Sequence, residues 1–64
     1  MSTIIAVSRQ DLDDNPALKA QLQSLVEQMS VLEEEYSFLP LPEYEQSFMR
    51  MLEVNHISHY IPGP

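Results

Sequence analysis

The sequence predicts an all-α protein built as an αα-hairpin, with helices over about residues 16–37 and 42–57 and a short extended segment ahead of them. Apolar residues recur at steps of four and three from Leu18 to Tyr36, Pro40 and Pro42 interrupt the pattern, and a second amphipathic stretch follows. With 64 residues the chain is a single small domain. At that size a monomer buries only about 60% of the surface its unfolded chain exposes. The hairpin is therefore expected to be completed by dimerisation or by docking on a partner.

Residues 1–14 read as an extended, flexible N-terminal segment. Ile4-Ile5-Ala6-Val7 is β-prone and suits either a disordered start or a strand added to the edge of a partner's sheet. Ser8 and Asp11 have capping-box spacing, which allows one helical turn.

Asn15 followed by Pro16 is a helix start: an N-cap side chain, then a proline whose missing N–H has no partner to lose. Leu18, Leu22, Leu25, Met29, Leu32 and Tyr36 then fall on one heptad stripe, and neither glycine nor proline interrupts residues 17–39. Pro40 and Pro42 stop that helix, and Pro42 can open the next. On the second helix Tyr44, Phe48, Met51 and Leu52 share a face, so these four and the first stripe form the expected packing core. Residues 60–64 (Tyr-Ile-Pro-Gly-Pro) read as a tail, loose or extended.

Ten acidic residues stand against three basic ones, giving a formal net charge of −7. Direct nucleic-acid binding is disfavoured, because phosphate neutralisation needs clustered Lys and Arg. Attraction to anionic lipid is disfavoured for the same reason, and no apolar run approaches the ~20 residues that span a bilayer. With no membrane segment, the expected compartment is the cytoplasm. The chain has no cysteine and one glycine, so thiolate metal sites and a phosphate-cradling loop are excluded. No serine lies in a recognisable nucleophile setting. The expectation is a protein that is not an enzyme and carries no cofactor.

Its function is therefore expected to be protein–protein interaction, as a small acidic regulator or inhibitor, or as an accessory subunit. The partner is a protein, with a basic surface where Glu33, Glu34 and Glu35 meet it, or else a second copy of the chain. Phe38, Leu39, Leu41 and Met49 complete the candidate binding patch, since aromatic residues and Met are enriched at interface cores. Glu33–Glu35 would lie on the last turns of the first helix, where negative charge opposes the helix dipole, and a basic partner would relieve this. A solvated acidic face is the plainer reading.

Two alternatives remain at this level. Glu53 and His56 form a Glu-x-x-His step, which paired with Glu27 of an antiparallel helix would make a carboxylate-bridged metal site in a dimeric bundle. The plainer reading of His56 is a polar residue near a helix C-terminus. The chain could instead be a precursor peptide whose tail is modified or cleaved.

Overall fold

A computed structural model describes residues 3–62. It is a mixed α/β fold, in the order β1 (Ile5–Ser8), α1 (Arg9–Asp13), α2 (Pro16–Gln23), β2 (Val26–Val31), β3 (Glu35–Pro40), a 3-10 turn (Pro42–Tyr44), α3 (Glu45–Val54) and β4 (His59–Tyr60). The four strands form one antiparallel sheet in the order β2-β3-β1-β4.

This overturns the all-α hairpin. The first helix starts where Asn15 and Pro16 place it, with Asn15 Oδ1 accepting from the Leu18 N–H at 3.3 Å, but it ends at Gln23. The stretch expected to carry it on to residue 37 is instead a β-hairpin, β2 and β3. Alternation takes over from the heptad there: Tyr36, Phe38 and Pro40 are buried while Glu35, Ser37 and Leu39 are half-buried. Placing Glu33 and Glu34 in the turn between strands also removes them from a helix C-terminus, where they would oppose the dipole. The second helix survives as α3, preceded by the 3-10 turn that Pro42 opens.

The N-terminal segment is integral to the sheet. β1 is an inner strand, with Val7 opposite Tyr36 on one side and His59 on the other. Ser8 caps α1, its Oγ accepting from the Asp11 N–H at 3.4 Å. Tyr60, read from sequence as the start of the tail, pairs with Ala6 in β4. Residues 61 and 62 carry no regular structure, and Gly63 and Pro64 lie outside the described residues.

The core occupies one face of the sheet. Ile5, Val7, Tyr36 and Phe38 point to that face and cluster with Leu12 of α1, Leu18 and Leu22 of α2, Phe48 and Leu52 of α3, and Ile57. Phe38 sits at the centre, its ring 5.2 Å from that of Phe48 edge-on and 6.2 Å from that of Tyr36. Of the residues expected in a helix-packing core, Leu18, Leu22, Tyr36, Phe48 and Leu52 are buried, and Leu25, Met29 and Met51 pack at its margin. Leu32 and Tyr44 are corrections: they are 45% and 40% exposed. Leu32 follows the end of β2, and Tyr44 closes the 3-10 turn.

Candidate interaction surface

Among the described residues no helix packs on the opposite face of the sheet, although Ala6 there is only 1% exposed. The pairings Ala6–Ser37, Ala6–Tyr60 and Ser30–Ser37 place these four residues on that face, and Ile4, Gln28 and Leu39 line a shallow cleft beside Ser30 and Ser37. Its floor is small and polar; its ends differ. Ile4, half exposed, and Leu39 give one end an apolar character. At the other end the Tyr60 hydroxyl reaches across β1 and donates to Glu35 Oε2 at 2.7 Å. That hydrogen bond holds the phenol proton and raises the Tyr60 pKa above its ordinary value, with local desolvation and the Glu35 charge acting in the same direction.

Acidic groups gather at the Glu35 end. The backbone N–H of Arg9 donates to the Glu34 carbonyl at 3.2 Å and its guanidinium donates to the Leu32 carbonyl at 3.0 Å, so α1 is stapled to the β2–β3 turn. Asp13, Asp14, Glu33 and Glu34 line one cleft around that staple. The cations nearby are already engaged. Asp13 accepts from the Tyr36 hydroxyl, lies 3.7 Å from Arg9 Nε and lies 3.8 Å from Lys19 Nζ. Lys19 Nζ also donates to the Tyr36 oxygen at 2.9 Å. Asp11 accepts from the Ser58 N–H at 3.1 Å. Among the described residues, Asp14, Glu33 and Glu34 are exposed and make no side-chain hydrogen bond or ion pair within the chain.

The residues of the sequence-derived patch are therefore dispersed. Glu33, Glu34 and Glu35 stay together at the turn and the start of β3, and Leu39 lies on the uncovered face. Leu41 precedes the 3-10 turn, and Met49 is half-buried on α3 beside the core. Phe38 is a correction: it is 0% exposed and offers nothing to a partner, because alternation along β3 turns it inward. The sheet residues Ala6, Ser30, Ser37 and Tyr60 escaped sequence reasoning, since their shared face exists only once the strands are paired. The Ala6, Ser37 and Tyr60 spacings gave no local sign of it.

The metal alternative loses its scaffold. Glu27 lies on β2 rather than on a helix facing α3, while Glu53 is on α3 and His56 just beyond it. Among the described residues no three His, Asp or Glu side chains are grouped to hold a metal ion. His56 has another role: at φ 56° it ends α3, with its N–H donating to the Glu53 carbonyl and that of Ile57 to the Leu52 carbonyl at 2.9 Å. Among the described residues no polar or charged side chain is buried, and no helix is long and apolar enough to cross a membrane. No protein family, curated protein or solved structure matches the chain.

Proposed function

We propose that this chain is a non-catalytic interaction protein, a small acidic regulator or accessory subunit acting in the cytoplasm on a protein with a basic surface. One observation carries the reading: among the described residues no helix covers one face of the sheet, and near one end of it Asp14, Glu33 and Glu34 make no side-chain hydrogen bond or ion pair. Sheets covered on one face alone are common in small proteins, but here the uncovered face carries the half-exposed Ile4 and Tyr60 beside the single carboxylate of Glu35. Glu33 and Glu34 supply steering toward a cationic partner and set its orientation.

The test is capture of a partner from the native source on immobilised protein, in parallel with a Glu33→Lys/Glu34→Lys variant of matched thermal stability. The wild type should retain a stoichiometric partner that elutes as salt rises, and the variant should lose it. A folded wild type that retains nothing at low salt would overturn the reading, as would a partner held equally by the variant.

A further inference from the structure

The two edges of the sheet are unlike. β4 is two residues long, too short to template another strand, whereas β2 runs for six residues with no strand beyond it among the described residues. The Leu32 N–H donates to the Glu35 carbonyl at 2.8 Å, so Leu32 turns its backbone N–H toward β3, while its carbonyl accepts from the Arg9 guanidinium. With that orientation the register turns the N–H and C=O of Ser30 toward Ser37, and those of Met29 and Val31 away from β3. Natural edges are blunted by lysine, proline, inward charge or a bulge. β2 has neither lysine nor proline, and its irregularity at Glu27 protects only its first residues. Beyond the bulge, Val31 is 60% exposed and Leu32 45%.

We infer that the outer edge of β2 accepts an extended, basic segment of a partner protein as a fifth strand. The charges select that occupant: Glu27 stands at one end of the free edge and Glu33 and Glu34 just past the other, with no cation on β2 itself. From Glu27 to Glu33 a strand spans about 20 Å, the reach of roughly seven extended residues. Alternation then sets apolar side chains beside Met29 and Val31 and basic ones within reach of the glutamates. A second copy of this chain fits worse, because it would bring its own Glu27, Glu33, Glu34 and net charge of −7 to the seam. The inference rests on the interaction role proposed above and assigns the mode of contact within it.

The probe is an end-blocked heptapeptide of alternating lysine and valine, compared with the same peptide N-methylated at alternate residues. Both carry equal charge, and only the first can complete a ladder. The full-length chain should bind the plain peptide about tenfold more tightly than its methylated twin, a ratio expected from losing several backbone hydrogen bonds. Its Met29 and Val31 amides should become protected from exchange. Val31→Pro, which removes an outward N–H and no bond to β3, should abolish the difference while β1 amides keep their native shifts. Equal binding of the two peptides would reduce the contact to charge alone and overturn the edge assignment. Peptide shifts confined to Ala6, Ser37 and Tyr60 would move the contact to the open face and overturn it too. Concentration-dependent dimerisation with Met29 and Val31 protected before any peptide is added would give the edge to a second copy. None of these three outcomes touches the partner-capture test, which judges the interaction role by itself.

Discussion

His56 and Tyr60 show how single side chains set local stability. At φ 56° His56 occupies the left-handed region that favours glycine, and it closes α3 with the paired bonds His56 to Glu53 and Ile57 to Leu52. Ile57 packs into the core with Leu52, so the cap is also an apolar contact. His56→Gly is expected to stabilise the fold by about 0.5–1 kcal/mol, measured by chemical denaturation. A destabilised glycine variant would show that the imidazole makes a compensating contact. Tyr60 gives a pH dependence. Its folded pKa is raised, so the contribution of the Tyr60–Glu35 bond is fully present below the unfolded tyrosine value and is lost as pH rises through the folded one. Glu35→Gln should bring the Tyr60 titration, followed by ring-carbon NMR, down towards the ordinary value. An unmoved midpoint would assign the shift to desolvation. Neither role was legible in sequence: His56 resembled a metal ligand there, and nothing joined Tyr60 to Glu35 before β1 lay between them.

Among the elements, those with local punctuation could be read and the hairpin could not. Ser8 before Asp11, Asn15 before Pro16 and Pro42 before Glu43 each begin the turn or helix that their spacing announces. The run from Leu25 to Tyr36 fits a heptad and also fits two strands, because steps of three and four contain enough odd and even intervals for either. What decided it is tertiary: Phe38 is buried between Phe48 and Tyr36, which only alternation along β3 permits. The clue in hand was Glu33–Glu35 at the supposed end of a helix, a placement that a turn relieves. The resulting hairpin makes a prediction for its own backbone. Met29 and Val31 amides should exchange with solvent much faster than Ser30 and Leu32, although all four belong to one segment. Uniform protection along residues 28–32 would mean that the outer edge is already covered, and uniform exchange would mean that β2 is not held.

For the molecule as a whole, charge and size act together. A net charge of −7 on 64 residues repels itself in the compact state, and the ion pairs of Asp13 with Arg9 and Lys19 are exposed and relieve little of it. Raising salt should therefore stabilise the fold, with about 1 kcal/mol appearing as a rise of roughly 4–8 °C in Tm for a domain of this size. A Tm that falls with salt would show that those ion pairs outweigh the repulsion. The placement of charge was hidden for the same reason as the fold: composition reports ten carboxylates but not that Glu33, Glu34 and Glu35 meet Asp13 and Asp14 around the β2–β3 turn. The order of the strands has a last consequence, for how the chain is made. β1 is synthesised first, yet it lies inside the sheet, and its neighbours pair through Tyr36 on one side and His59 and Tyr60 on the other. Ile5 and Val7 can meet Leu12, Leu18 and Leu22 early, but their β3 partners come only with residues 36–38 and their β4 neighbours later still, across long loops. The fourth strand joins only once His59 and Tyr60 are made. Until then one edge of β1 has no strand beside it, and its backbone groups are open to any other chain within reach.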